Sequence, residues 1–180
     1  MKKALFLDRD GVINEDLAYV HKIECFNFIP GIFSLCKAAL DKGYIIIVVT
    51  NQAGIGRGFY TKETFIELTK SVARIFLNND IHITKTYFCP HHPKYGLGIY
   101  KKYCKCRKPE PGMFDLAATE FGIDMKSSMM VGDKISDLRA AKTAGINNLV
   151  LFGDRTSNFS SDEFPYNTRS NLKDIVELIV

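Results

Sequence analysis

The chain has 180 residues, 46% hydrophobic and 24% charged, with a formal net charge of +4. That length favours one domain around one core, and the composition excludes disordered and fibrous classes. The mild positive charge suits an anionic substrate but is too diffuse to argue for nucleic acid. The longest apolar run, Tyr44 to Val49, is strand-sized, far short of the roughly 18–20 residues of a membrane helix.

At the N-terminus, MKKALFLDRDGV imitates a secretory leader only briefly. Asp8, Arg9 and Asp10 end the apolar run after four residues, against the roughly 7–15 a leader needs, so the expected compartment is the cytoplasm. Ala4–Leu7 reads as a buried parallel strand ending in charge. Pro30 and Gly31 open a helix carrying Ile32, Leu35, Cys36, Ala39 and Leu40 on one face, closed by Gly43. Ile45–Val49 is a second strand and ends at Thr50-Asn51-Gln52. Thr61 begins a helix bearing Phe65, Leu68, Val72, Ile75 and Phe76, and Thr86–Phe88 is a third strand.

An irregular segment, Cys89 to Pro109, follows. A helix over Pro111–Phe121 leads to a fourth strand at Ser128–Val131, which stops at Gly132-Asp133. Ile135–Ala144 is a helix, Asn148–Phe152 a fifth strand, and Gly153–Arg169 a polar loop. Ser170 is expected to N-cap a final helix with Leu172, Ile175, Val176 and Ile179 inward. Alternating strands and helices predict a three-layer, Rossmann-like open parallel sheet with helices on both faces. The boundaries expected are one domain over 1–180 with a metal loop at about 89–108.

Ligands of such sheets bind beyond the carboxyl ends of the strands, where Asp8, Asp10, Thr50, Asn51 and Asp133 all fall. In extended backbone Asp8 and Asp10 point the same way. Two carboxylates held close need a cation between them, and a hard ion such as Mg²⁺, taking carboxylates, water and phosphate, meets that need. One carboxylate can then attack phosphorus while the other protonates the leaving oxygen. Alone, D-x-D-G is as readily an acidic turn, Thr50-Asn51 a polar turn, Arg107-Lys108 a solvated pair and Asp133 a helix N-terminal acid. Their coincidence at the strand ends of one sheet is what phosphoryl transfer requires.

In the irregular segment, Cys89-Pro90-His91-His92-Pro93 and Cys104-Lys105-Cys106 place three thiols and two imidazoles within 18 residues. Five cysteines cannot all pair within one chain, and clustered thiols in a reducing compartment favour metal. Cys89, His91, Cys104 and Cys106 make a closed tetrahedral Zn²⁺ set with no open position, hence structural; His92 is the alternative imidazole. Such a zinc would order the loop and place Arg107 and Lys108 against a phosphate. Cys25 and Cys36 are expected to be packing residues.

D-x-D-G-V at Asp8, Thr50-Asn51, Lys108 before a helix, and G-D-x-x-x-D at Gly132–Asp137 resemble the four motifs of the haloacid dehalogenase superfamily, in order along nearly the whole chain. The resemblance implies that Asp8 is the nucleophile and Asp10 the general acid and base, and that Thr50 and Lys108 hold the transferring phosphoryl group. It also implies Mg²⁺ on Asp8, the Asp10 carbonyl and Asp133, with Asp137 orienting Lys134 or a water. CPHHP…C-x-C-RKP-x-PGM and VTNQ-x-GI-x-RG resemble the D-glycero-D-manno-heptose 1,7-bisphosphate phosphatases. The related histidinol-phosphatases share DRDG, VTNQ and a usually shorter loop.

This narrower resemblance implies removal of the C7 phosphate of a heptose bisphosphate, no large cap domain, and substrate contacts at Asp16, Tyr19, Val20, Gln52, Ala53 and Arg57. Asn51, Arg107 and Lys134 complete the expected substrate-facing set. A small sugar phosphate is the expected partner, with no membrane, no nucleic acid and a monomeric chain. Two alternatives stand: a histidinol-phosphate or other small phosphomonoester phosphatase, and a zinc-containing nucleic-acid module. Against the second, no basic face with interleaved aromatics is present.

Overall fold

The computed structural model describes residues 1–153 and 164–179. The chain folds as β1 (Lys3–Leu7), α1 (Ile32–Asp41), β2 (Tyr44–Asn51), α2 (Ala53–Gly56), α3 (Lys62–Leu77), β3 (Ile83–Cys89), α4 (Gly112–Phe121), β4 (Met129–Gly132), α5 (Ile135–Thr143), β5 (Asn148–Phe152), β6 (Asn167–Arg169) and α6 (Leu172–Ile175). All six strands pair in parallel in the order β3-β2-β1-β4-β5-β6.

Residues alternate across a strand, and the two faces of β1 show where each set goes. Leu5 and Leu7, with Ile46 and Val48 beside them, pack under Leu35 and Ala39 of α1, Leu68, Val72 and Phe76 of α3, and Leu172 and Ile175 of α6. Ala4 and Phe6, with Ile47 and Val49, face Met113, Phe114 and Ala117 of α4 and Leu138, Ala140 and Ala141 of α5. Both faces are covered, so the central strands read as unbroken apolar runs.

From β1 the chain steps outward to β2 and β3, then returns to the other side of β1 with β4. That reversal opens a crevice beyond the carboxyl ends of β1 and β4, the place where such sheets bind ligands. Among the described residues no helix is long and apolar enough to cross a membrane.

The structure corrects several sequence expectations. The third strand runs over Ile83–Cys89, longer than Thr86–Phe88, because Lys85 and Thr86 pair with Ile47 and Val48 despite their polarity. A one-turn helix, α2, follows the second strand unannounced. Part of the tail read as loop forms β6, pairing Asn167–Arg169 with Val150–Phe152; the part at 154–163 lies outside the described residues. Asn171, not Ser170, caps α6, its side chain accepting from Lys173 N at 2.9 Å. Ser128 precedes β4 and instead accepts from Ala4 N at 3.0 Å and donates to the Asp124 carbonyl. Cys36 is buried as expected, but Cys25 is exposed and packs nothing into the core.

Candidate active site

Carboxylates from two strand ends and one helix start meet in the crevice. Asp8 follows β1, Asp133 follows β4 and Asp137 lies in the first turn of α5, and one oxygen of each lies within 4.8 Å of the others. All three are buried. Gly11 makes this approach feasible: at φ +91° its backbone passes so close to Asp133 that a Cβ would sit 2.5 Å from Oδ2.

Lys108 is the buried counter-charge. Its Nζ lies 2.9 Å from Asp8 Oδ1 and 2.8 Å from Asp137 Oδ1, and donates to the Val49 carbonyl at 2.8 Å. All three ammonium protons thus have partners. Burial alone would depress this amine, but the carboxylates of Asp137 and Asp8 outweigh it and hold its pKa above the ordinary lysine value. Asp8 also has its pKa raised, which for a carboxylate favours the neutral form. Burial raises its pKa, and the Asp137 charge adds to this against the pull of Lys108. Asp133 is pushed up to about 7 by burial and by the charge of Asp8, against Lys134. Its Oδ1 is buried with no hydrogen-bond partner. Three clustered carboxylates, two of them sharing one buried ammonium and the third with an orphaned oxygen, are a donor set that fits a hard divalent cation.

Asp10 sits beside this cluster in a web of donors. Arg9 Nε and Nη2 reach Oδ1 at 3.1 and 2.7 Å, Asn14 Nδ2 reaches the same oxygen at 3.1 Å, and Gln52 Nε2 donates to Oδ2 at 2.9 Å. Gln52 also donates to Thr50 Oγ1 and accepts from the Tyr60 hydroxyl at 2.6 Å. Arg9, Asn14 and Tyr60 were not singled out from the sequence. The arginine between two acids at a strand end was the one available signal.

A cavity of about 600 Å³ opens here, lined by Asp8, Asp10, Asp16, Tyr19, Thr50, Asn51, Gln52, Ala53, Arg107, Lys108, Lys134 and Asp137, together with Tyr60 and Ser136. Most of the residues expected to face a substrate therefore share one wall. Two of them do not line it. Val20 is buried and its carbonyl accepts from Arg9 Nη2 at 2.8 Å, so it acts on the site through Arg9 and Asp10. Arg57 is turned onto Tyr19, Phe59 and Tyr95. Asn51 lines the cavity, yet its amide is committed: Nδ2 donates to the Lys108 carbonyl and Oδ1 accepts from Lys108 N, both at 3.1 Å. It clamps the backbone that carries the buried amine. Across the mouth, Lys134 Nζ reaches Asp16 Oδ2 at 3.2 Å.

Behind Lys108, Cys89, His91, Cys104 and Cys106 bring three thiols and Nδ1 of the imidazole within 4.8 Å of one another, with sulfur–sulfur separations of 2.9 to 3.4 Å. The cluster is compatible with a metal site of the closed Cys₃His type. His92 stands outside it, its Nδ1 accepting from Lys94 N and Tyr95 N. The next residue after Cys106, Arg107, donates to the His91 carbonyl at 3.1 Å.

Residues 105–177 match the family model described as HAD-hydrolase-like. The chain is 50% identical over 153 residues to D-glycero-alpha-D-manno-heptose-1,7-bisphosphate 7-phosphatase of Burkholderia mallei, covering 85% of this chain and 81% of that one. It is 48% identical over 150 residues to D-glycero-beta-D-manno-heptose-1,7-bisphosphate 7-phosphatase of Vibrio cholerae, covering 83% and 81%. Its structure is similar to that of D,D-heptose 1.7-bisphosphate phosphatase from B. bronchiseptica complexed with magnesium and phosphate, with a TM-score of 0.84 and 27% identity over 98% of this chain and 97% of that one. The chain is a phosphatase of the haloacid-dehalogenase-like hydrolases. Within them, the chain belongs to the D-glycero-D-manno-heptose-1,7-bisphosphate 7-phosphatase family.

Proposed function

We propose that this enzyme removes the C7 phosphate of D-glycero-D-manno-heptose 1,7-bisphosphate through a phosphoryl-Asp8 intermediate. The reaction is a cytoplasmic step toward nucleotide-activated heptose for bacterial surface glycans, carried out by a single-domain monomer. The observation that carries the reading is the Asp8–Lys108–Asp137 bridge at the crevice, in a chain 50% identical to a phosphatase of that name.

In the first step the Asp8 carboxylate attacks phosphorus, the bond to the sugar oxygen breaks, and Asp10 gives that oxygen its proton. In the second, water attacks the phosphorus of phosphoryl-Asp8, Asp10 takes the water's proton, and phosphate leaves with Asp8 restored. Arg9, Asn14 and Gln52 hold Asp10 on line for both transfers. Lys108 and the Thr50 hydroxyl face the phosphoryl oxygens, Arg107 and Lys134 supply further positive charge, and Asn51 fixes Lys108. Mg²⁺ would be held by Asp8, the Asp10 carbonyl and Asp133, and supplies charge neutralisation to the transferring group. Zn²⁺ would be held by Cys89, His91, Cys104 and Cys106 and orders the loop that ends in Arg107 and Lys108.

Asp133 gives the metal reading a pH signature. Its folded pKa of about 7 stands above the ordinary value near 3.9, so between about pH 4 and 7 the folded chain binds more protons than the unfolded one. Without metal this group's contribution is fully present below about pH 4 and is lost as pH rises through 7. Mg²⁺ must displace that proton, so the rise in Tm on adding Mg²⁺ is expected to be larger at about pH 8 than at about pH 6. Thermal unfolding at both pH values checks this, and an equal or reversed increment would refute it.

The substrate is tested by phosphate release in Mg²⁺ from both anomers of heptose 1,7-bisphosphate and from histidinol phosphate, before and after zinc extraction. A kcat/KM at least about 100-fold higher for one heptose anomer is expected, with turnover falling once zinc is removed. Preference for histidinol phosphate would overturn the substrate, and turnover indifferent to zinc loss would overturn the loop's role.

A further inference from the structure

Three separate segments, one of them lining the cavity through Tyr19, meet at one guanidinium. Arg57 Nη1 donates to the Tyr19 hydroxyl, and its charge lies 5.3 Å from the Tyr19 ring centroid, 4.7 Å from Phe59 and 5.3 Å from Tyr95. All three distances are within cation–π range. Tyr19 belongs to the segment after the Asp8 strand and lines the cavity. Phe59 follows α2 and meets Tyr19 edge-on at 4.6 Å. Tyr95 comes from the cysteine–histidine loop.

The Tyr19 segment needs such an anchor. Ala18 and Tyr19 have φ of 59° and 55°, a left-handed backbone that non-glycine residues keep only where surrounding contacts impose it. Just beyond it Val20 is buried and held through its carbonyl by Arg9 Nη2, and His21 stacks on Tyr60; on its near side the tie is Asp16 to Lys134, an ion pair with both partners more than a third exposed and so weakly stabilising. On the opposite side, Leu97 N donates to the Gly56 carbonyl at 2.7 Å, and a Cβ on Gly56 would sit 2.3 Å from the Pro90 carbonyl oxygen. The metal loop is therefore seated on the residue next to Arg57.

We infer that Arg57 is a positioning residue for the proposed reaction: it locks the Tyr19 segment to the cysteine–histidine loop and so sets the shape of the sugar-binding mouth without touching substrate. The planar guanidinium presents ring-stacking faces and an edge donor at once, which an ammonium cannot. This rests on the sugar-bisphosphatase reading for its kinetic consequence, but not for its structural one.

The test uses the full-length protein with both metals. In Arg57→Ala, backbone amides of residues 16–20 are expected to exchange with solvent at least about 10-fold faster than in the unaltered enzyme, with zinc content unchanged. KM for the heptose bisphosphate rises about 10-fold with kcat changed less than about threefold, whereas KM for p-nitrophenyl phosphate, which has no sugar, moves far less. Arg57→Lys behaves as Arg57→Ala does. Tyr19→Phe, which removes only the hydrogen bond, gives a smaller acceleration in the same amides and decides the matter should Arg57→Ala not fold. Unchanged exchange at 16–20, or full rescue of KM by lysine, would show that Arg57 binds substrate charge directly and would overturn the inference. The exchange measurement needs no substrate, so it stands even if the enzyme prefers another phosphate ester.

Discussion

Asp8→Asn is expected to lower kcat by at least about 10⁴-fold while leaving the fold and the cysteine–histidine loop in place. The carboxamide has the shape of the carboxylate and retains an oxygen able to accept from Arg9 N and from Lys108, as Asp8 Oδ1 does now at 2.8 and 2.9 Å. What it lacks is a nucleophilic oxygen with a full charge. Lys108 keeps Asp137 and the Val49 carbonyl as partners, so the buried ammonium is not abandoned. The variant also has one carboxylate fewer among Asp8, Asp133 and Asp137, which relieves like-charge repulsion. Loss of turnover without loss of Tm thus separates chemistry from folding. Phosphate release by the variant above about 1% of the normal rate would rule out Asp8 as the group that carries the phosphoryl.

At Lys108 stability and turnover are expected to fall together. In Lys108→Met the apolar stem is retained, but Asp8 and Asp137 are left buried without their shared cation. Removing one partner of a buried, hydrogen-bonded ion pair costs about 3–5 kcal/mol, which for a chain of this size is a fall in Tm on the order of 10 °C. Turnover should drop by about 10²–10³-fold as well, because a fixed cation beside the phosphoryl group is lost. Mg²⁺ should restore part of the stability, being the other source of positive charge for the same carboxylates, but little of the rate. Calorimetry with and without Mg²⁺, alongside phosphate release, reads both effects. A variant as stable as the unaltered protein would show that the ammonium is not what makes the acid cluster tolerable.

Asn51 illustrates how far side-chain chemistry can mislead when its partner is distant. A polar residue after the second strand suggests a hand held out to phosphate, yet both ends of its amide are taken by the backbone of Lys108, 57 residues further on. Val20 is a similar case, since the segment after Asp8 does close on the pocket, but this residue contributes a carbonyl to Arg9 from beneath it. Arg57, expected among the substrate contacts, lies on aromatic rings contributed by three segments.

The β/α alternation, the acids at the ends of the first and fourth strands, and the three thiols of the cysteine–histidine loop, with His91 or its alternative His92 as the fourth donor, were legible in the sequence itself. Each depends on periodicity or spacing within a few residues, and parallel sheets place strand ends at one edge whatever lies between them. Only the tertiary structure decided that Asp137 shares Lys108 with Asp8, that Arg9, Asn14 and Gln52 hold Asp10, that His91 rather than His92 joins the thiols, and that Tyr19 is anchored by Arg57. Most of these pairings span tens of residues and depend on strand register, crossover and loop path. His92 loses its place to a turn in which it caps two backbone amides, a choice of backbone path that spacing alone leaves open.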